Sequence, residues 1–415
     1  MGISVGLVGL GAFGTNFVDG FKAHPYVDRI ALCDREPERV KKLAEDPFMQ
    51  HKFDPKDAYP TLDDICKADL DALVIMTQPW LHAPQCIQAL ESGKHVMSAV
   101  PIISVPDSDE ILDWCDKLVK TVEKTGQHYM LMETSYYHPE MMFLRRKNEE
   151  GAFGKFISAE CEYSHDYSGA WGCNLVKVGK DRYASQAGQE WGKIVKEKYT
   201  DKGILRGSMH YPTHSVSGPC SIMKAHALKV SALGLPASGY DYYAKNTAFV
   251  NTTGFFHMSN GATITSREYR EITGHGYEIN IYGTNGTWRD RKWHWTKREY
   301  NDDPANFRPE SGTEVLTPEE MRDPLPREVQ IGFILSKNHF LSVNEVENMD
   351  FSPTGHYGSH PHLVHEFIDS VYRERTPAIN IWEAVRYMAM GAVAHKSALK
   401  DGELLNIPDW GDAPK

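Results

Sequence analysis

The apolar run ISVGLV (Ile3 to Val8) leads straight into G-L-G-A-F-G, with glycines at Gly9, Gly11 and Gly14. A strand that breaks on this spacing and opens an amphipathic stretch has few ways to fold. Gly9 permits the tight turn, Gly11 lets the backbone approach a ligand, and Gly14 lets helix and strand pack closely. The free N–H groups and positive dipole end of the following helix make the turn a phosphate cradle. Alone the pattern is weak, but Asp34 ends the next apolar run, 25 residues after Gly9. There a carboxylate can accept bonds from a ribose diol, and the two features together form a dinucleotide fingerprint. Gly9, Gly11, Ala12, Phe13 and Gly14 then surround the phosphates and Asp34 takes the ribose. The carboxylate favours NAD, because it would repel a 2′-phosphate. Arg35 beside it is the one group placed to receive such a phosphate.

The same alternation continues. Apolar runs at Ile3–Val8, Arg29–Cys33, Ala72–Met76, His95–Met97 and Tyr129–Met132 read as buried strands. Helical periodicity fills the gaps at Thr15–Lys22, Glu36–Ala44, Ala83–Glu91 and Ser108–Lys124. Strands alternating with helices predict a doubly wound parallel sheet, a Rossmann domain over residues 1–133. The third strand ends in T-Q-P-W-L-H, so Thr77, Gln78 and His82 are expected at the middle of the cofactor. From 134 to 415 the pattern changes to short strands with turn residues between them. SNGA (Ser259 to Ala262) and GTNGT (Gly283 to Thr287) are hairpin signals. A large, mostly antiparallel open sheet is expected there, with helices over 361–399 packing back on the core. Two polar stretches, Asp166 to Arg206 and Lys297 to Arg327, read as long functional loops.

Composition narrows the partners. A net charge of −11 over 415 residues argues against nucleic acid or an anionic membrane surface. No apolar run approaches the roughly 18 residues of a membrane span. Seven cysteines, scattered singly without C-x-x-C, suit reduced thiols and a cytoplasmic location. An open sheet with an uncovered face usually pairs, so a homo-oligomer, dimer or tetramer, is expected.

With GLVGLGAFG, the Thr77–His82 segment and GKHV (Gly93 to Val96) in place, the chain resembles the Gfo/Idh/MocA family of NAD(P)-dependent sugar oxidoreductases. Where that family's dehydrogenases continue into Glu-Lys-Pro, this chain has Ala99-Val100-Pro101, and the substrate-touching lysine is missing. The resemblance is closer to the family's NAD-dependent glycoside hydrolases, typified by α-N-acetylgalactosaminidase, in which that lysine is also a valine. MLMETSYY (Met130 to Tyr137), GAFGKFISAECEYSHD (Gly151 to Asp166) and MHYPTHSVSGP (Met209 to Pro219) are similar to segments of that group. Position by position, the resemblance implies active-site roles for Glu133, Tyr163, Tyr211 and His214, with Val100 and Pro101 beside the cofactor. It implies a carbohydrate substrate and a redox-neutral reaction. Ala99 and His210 depart from the group's pattern.

The residues can perform such chemistry. Oxidation at a sugar C3 makes the C2 proton acidic, elimination then expels the C1 substituent, water adds, and C3 is reduced again. This needs two acid/base groups rather than a close pair of carboxylates. His214 is a base for the 3-hydroxyl, since neutral imidazole is available near pH 7. Tyr163 is a base for C2 if neighbouring positive charge, including the nicotinamide ring, lowers its pKa, although the two roles can be exchanged. Tyr211 and Glu133 would bind or protonate sugar oxygens. Pro212 and the glycines nearby read His214 as a loop residue. Arg206, His210, Trp171 and His356 are candidate substrate contacts: Arg206 for an anionic group, and Trp171, with Trp191, Tyr167 and Tyr183, for stacking on a pyranose. His210-x-x-x-His214 and the set His356, His360, His362 and His365 have metal-like spacing. Neither is completed by Cys or paired carboxylates, so no metal is expected. A net sugar or cyclitol dehydrogenase is the second reading and a dinucleotide-binding sensor the third. A sensor has no use for an acid/base set.

Overall fold

Ile3–Val8 forms strand β1, and its unbroken apolar run suits a strand covered on both faces. Five strands join it: β2 (Val27–Cys33), β3 (Ala58–Tyr59), β4 (Ala72–Ile75), β5 (His95–Ala99) and β6 (Tyr129–Met132). They pair in parallel in the order β3-β2-β1-β4-β5-β6. The computed structural model describes residues 2–46, 49–167, 175–237, 246–298, 305, 308–338 and 341–414. The strand order reverses between β1 and β4, which opens a crevice beyond their carboxyl ends, where such sheets bind ligands. Gly9–Gly14 leave β1 and Thr77 follows β4, so both expected cofactor segments reach that crevice. Strand β3 is only two residues long and leaves no pattern for a sequence reading to find.

The second sheet contains β7 (Phe156–His165), β8 (Arg206–Gly207), β9 (Ala227–Pro236), β10 (Thr247–Met258), β11 (Thr263–Tyr269), β12 (His275–Gly283), β13 (Gly286–Arg289), β14 (Lys292–Thr296), β15 (Ser311–Glu314) and β16 (Leu405–Asn406). Its order is β15-β14-β13-β12-β7-β11-β10-β9-β16, with β8 alongside β10. SNGA turns β10 into β11 and GTNGT turns β12 into β13, as the hairpin signals predict. Most pairs are antiparallel, but β7 lies parallel to β11 in the middle of the sheet and β8 parallel to β10. The helices Thr213–Met223 and Ile381–Ala398 cover the inner face.

The polar segment 166–206 is not a loop throughout. Its described part winds into helices Leu175–Ala184 and Gln186–Ile194, then a wider turn at Val195–Tyr199. Ser185 caps the second helix, its hydroxyl accepting from Gly188 N at 3.1 Å. Trp191 is buried and stacks on Trp80 at 5.2 Å, which supplies the tertiary anchor that a polar composition hides. The other polar segment contributes β15 and a short helix, Pro318–Met321, begun by a capping box between Thr317 and Glu320.

The C-terminal helices join the two sheets. Helix Ile381–Ala398 packs against helix Ser108–Thr125 of the first domain, and Leu131 N donates to the Ile379 carbonyl at 3.0 Å. Asn380 caps the start of Ile381–Ala398, accepting from Trp382 N at 3.1 Å. Gly391, in the middle of this helix, lies so close to the Met209–Pro212 segment that a Cβ there would overlap the Met209 carbonyl and the Pro212 ring. Overpacking of this kind costs about 1–3 kcal/mol. Gly391→Ala is therefore expected to lower the melting temperature and, by displacing the segment that carries Tyr211, to depress turnover as well. Unchanged thermal unfolding of the variant would show that the contact yields freely.

Candidate active site

Period-two alternation on the inner face of the second sheet sets one row of side chains in register. Thr252 of β10 faces Glu268 of β11, Glu268 faces Tyr163 of β7, and Tyr163 faces Tyr277 of β12. All but Tyr277 are nearly inaccessible. Tyr277 stacks on Tyr163 with ring centroids 4.8 Å apart. The Tyr163 hydroxyl meets His165 Nδ1. Glu268 accepts from Arg270 Nη2 at 2.6 Å and from Ser215 Oγ at 2.5 Å. Arg270 in turn lies 4.8 Å from the Tyr163 ring.

Helix Thr213–Met223 lies over this row and begins directly after Pro212, so His214 is its second residue and not a loop residue. The expectation for His214 is corrected here: it is 7% exposed, and a proline that cannot continue a helix is well suited to precede one. Its Nδ1 is 2.6 Å from Glu133 Oε1, just beyond the end of β6. Glu133 also accepts from the Ser135 backbone N–H at 2.9 Å and hydroxyl at 2.7 Å. Burial alone would raise the Glu133 pKa, but the facing His214, with Thr213 and Ser135, holds it down at about 2. The other edge of the imidazole, Nε2, lies 3.2 Å from the Tyr211 hydroxyl. The Tyr163 ring stands edge-on to His214 at 5.0 Å. A carboxylate that orients a histidine, whose free edge meets a tyrosine, is an acid/base relay. All four residues named from the sequence for catalysis thus come together.

Tyr163 and Tyr211 line a cavity of about 920 Å³ shared with Phe13, Thr77, His82, Val100, Pro101, Arg206 and His210. In the protein alone, the charges around Tyr163 favour the phenol. Burial, then Tyr277, pushes its pKa well above the usual phenol value, and Arg270 opposes this only in part because Glu268 neutralises it. Burial also raises Tyr211, and it pushes Glu268 up to about 7 against the pull of Arg270.

At the cofactor end, Gly9 has φ +91°, a conformation that favours glycine. A Cβ on Gly14 would overlap the Gly9 carbonyl, whereas one on Gly11 would point into open space, 4.0 Å from Arg39 Nη1. That open cradle before helix Thr15–Ala23 fits a dinucleotide pyrophosphate. Asp34 is buried and accepts from Leu10 N at 2.7 Å and Glu36 N at 2.9 Å. Arg39, not Arg35, approaches its carboxylate, at 3.4 Å, while Arg35 and Ala12 point to solvent. Thr77 donates to Gln85 Oε1 at 2.5 Å, and Gln78 is half-buried beside it.

Several expected contacts turn out to brace the fold. Both ring nitrogens of buried His82 face backbone carbonyls, Pro101 at 2.8 Å and Thr77 at 3.2 Å. His82 therefore holds the segment beside the cofactor rather than offering a free donor. His210 is buried, with Nε2 2.9 Å from Ser108 Oγ. Arg206 Nε reaches Thr247 Oγ1 at 3.1 Å. His356 is exposed, 2.7 Å from His360 and near Phe13, while His362 reaches the Asp323 carbonyl and His365 pairs with His24. Among the described residues no group of three or more His, Cys, Asp or Glu side chains is set to hold a metal. Trp171 lies outside the described residues. Ser135, His165, Glu268, Arg270 and Tyr277 were not anticipated. The alternation in ITSREYR (Ile264 to Arg270) is a signal for two of them, since it puts Glu268 and Arg270 on the buried face.

Residues 3–131 match the sequence profile of the Gfo/Idh/MocA oxidoreductase family, NAD-binding Rossmann fold. Over 254 residues the chain is 30% identical to glycosyl hydrolase family 109 protein 2 of Bacteroides fragilis strain YCH46, covering 59% of this chain and 55% of that protein. It is 29% identical, with the same coverage, to alpha-N-acetylgalactosaminidase of Bacteroides fragilis strain ATCC 25285. The chain thus spans about half the length of the curated relatives it matches. Levoglucosan dehydrogenase, solved with NADH and levoglucosan, superposes with TM-score 0.67 at 16% identity, over 99% of this chain and 100% of that one. An NAD-binding oxidoreductase from Klebsiella pneumoniae gives 0.69 at 14%, again over 99% and 100%. At such identities these likenesses establish the fold alone, a Rossmann domain followed by an open sheet.

Two outcomes follow from this geometry. Gly11→Ala is expected to keep the unliganded melting temperature while weakening NAD binding by about tenfold or more, the scale of one lost charge-assisted contact. Gly14→Ala is expected to lower the melting temperature itself; isothermal titration and thermal unfolding separate the two. For Glu133 the sign follows from its depressed pKa. Its contribution to stability is present above the ordinary carboxyl value of 4.5 and is lost as pH falls from there toward about 2. Melting curves of the native chain and Glu133→Gln should differ most near pH 7 and converge as pH falls below 4.5. A constant gap across that range would contradict the assignment.

Proposed function

We infer that this protein is an NAD-dependent, redox-neutral glycosidase that acts on a sugar in the cytoplasm. The observation that carries the reading is the Glu133–His214–Tyr211 relay, which meets Tyr163 in a cavity whose cofactor wall presents Val100 instead of a lysine. The kinship with glycosyl hydrolase family 109 proteins supports it. When bound, NAD supplies a reversible hydride acceptor for the sugar. The chain's own residues handle the protons. Glu133 fixes the imidazole so that Nε2 faces the Tyr211 hydroxyl, which lines the cavity, and takes the proton of the 3-hydroxyl, with Tyr211 holding the same oxygen. Tyr163 works at C2, with Arg270 favouring its ionised form against burial. Departure of the C1 group, addition of water, return of the C2 proton and reduction of C3 by the same hydride, with the 3-hydroxyl proton given back by His214, restore the sugar with its anomeric bond hydrolysed.

A net sugar dehydrogenase is the second reading, favoured by the full-length likeness to levoglucosan dehydrogenase. The outer face of the second sheet exposes Leu233, Leu235 and Phe255, which suits burial in a homo-oligomer. No helix among the described residues is long and apolar enough to cross a membrane.

In D₂O, release of the aglycone from an aryl glycoside is expected without net reduced cofactor, with deuterium entering at C2. Stoichiometric reduced cofactor would replace this reading by the dehydrogenase. Tyr163→Phe should slow release by about 100-fold or more, the usual worth of a positioned acid/base group, and stop the exchange while leaving NAD binding intact. Exchange that survives in Tyr163→Phe removes this residue from C2.

A further inference from the structure

The charges that line the cavity are not balanced. Its only lining carboxylate among the described residues is Asp201, which pairs with Lys196 at 3.4 Å. Arg270 is matched by buried Glu268 at 2.6 Å. Arg182 also lines the cavity, and it is a different case. It stands in the last turn of helix Leu175–Ala184, half-buried, with no carboxylate within ion-pair distance among the described residues. Its charge is felt at two groups of the site: burial dominates the pKa values of Tyr211 and His82, and Arg182 lowers both. The guanidinium therefore faces the same space as the catalytic tyrosine. Next to it Tyr183 stacks on Trp80 at 6.2 Å, and Trp191 stacks on Trp80 from the other helix, forming an aromatic wall. A half-buried cation with no partner anion is costly to maintain, and a planar guanidinium is shaped for bidentate capture of an oxyanion.

We propose that Arg182 selects an anionic sugar, one bearing a carboxylate, with the uronic acids as the substrate class of this site. The proposal rests on the glycosidase reading for its location but on ligand charge alone for its test. A sugar ring lies against the Trp80–Tyr183 wall, its acid group pairs with Arg182, and its reacting carbons face Tyr163 and Tyr211.

The test uses the full chain loaded with NAD. Binding of glucuronate, galacturonate, glucose, galactose and glucose 6-sulfate is measured by calorimetry, so the result does not depend on turnover. The uronates are expected to bind at least about tenfold tighter than the matching neutral hexoses, the scale of a charge-assisted bidentate contact. Arg182→Gln should erase that difference while NAD affinity stays unchanged, and Arg182→Lys should restore part of it. Equal binding of uronates and neutral hexoses overturns the proposal. So does tight binding of the sulfate with no uronate preference, or a loss of NAD affinity in Arg182→Gln, which would assign the charge to the cofactor phosphates. Failure of any acid sugar to bind at millimolar concentration also overturns it. The glycosidase reading is scored separately, by release of 4-nitrophenol from aryl uronides and aryl hexosides. Uronate-selective binding with net reduced cofactor would uphold Arg182 and sink that reading alone.

Discussion

The 2.6 Å contact between Glu133 and His214 is the constraint on which the site depends. Glu133 follows the last strand of the Rossmann sheet, and His214 opens the helix that lies over the second sheet. The contact therefore joins the two halves at the point where cofactor and substrate must meet. Ser135 fastens the joint, because its hydroxyl donates to Glu133 at 2.7 Å and sits within 3.0 Å of Ser217. Burying a carboxylate is costly unless it is hydrogen-bonded, and Oε1 of Glu133 takes its partners from both sides, whereas Oε2 has none among the described residues. The same arrangement fixes which edge of the imidazole is left for chemistry.

A second buried pair, Glu268 and Arg270, has a different logic. Replacing such pairs by apolar groups is often neutral or stabilising, so their presence is weak support for a purely structural role. Arg270 spends its charge on Glu268, on the Tyr163 carbonyl at 3.3 Å and on the Tyr163 ring. Those contacts place a cation beside the one phenol that must ionise during the proposed cycle. Burial and Tyr277 favour the phenol and hold its pKa well above the usual value, while Arg270 favours the phenolate.

Much of this was legible in the sequence, and the misses share a cause. The glycine turn, the parallel strands and both hairpins are written in local patterns that only one backbone satisfies. Glu133, Tyr163, Tyr211 and His214 came from a resemblance, and the structure brings them together. The partners that tune them did not come through. Glu268 and Arg270 look like ordinary polar residues until β11 is known to turn them inward against β7. His82 and His210 both line the cavity, and each also braces the backbone or side chain beside it. Their hydrogen bonds to Pro101 and Ser108 depend on tertiary contacts that the sequence does not display. The helices at 175–194 were read as loop for the same reason, since Trp191 is anchored by Trp80, more than a hundred positions earlier.

Val100 gains its meaning from this setting. A lysine on the cofactor wall would bring a second cation and a second proton donor toward the same sugar hydroxyl. In the proposed cycle that proton goes to His214, whose charge on protonation is met by Glu133 on its far edge. A protonated lysine beside a newly formed imidazolium would raise the energy of both, and a neutral one would compete for the proton. Valine removes the conflict and leaves the wall apolar. The hydrogen-bonding capacity of the site is then concentrated on the side of Tyr163 and Tyr211, where C2 and its departing neighbour have to be reached. In a net dehydrogenase one proton and one hydride leave together, and a single lysine-centred donor set is enough. A cycle that takes a hydride and gives it back needs protons moved at two carbons, and in the proposed reading that work is divided between a carboxylate-held histidine and an arginine-flanked tyrosine.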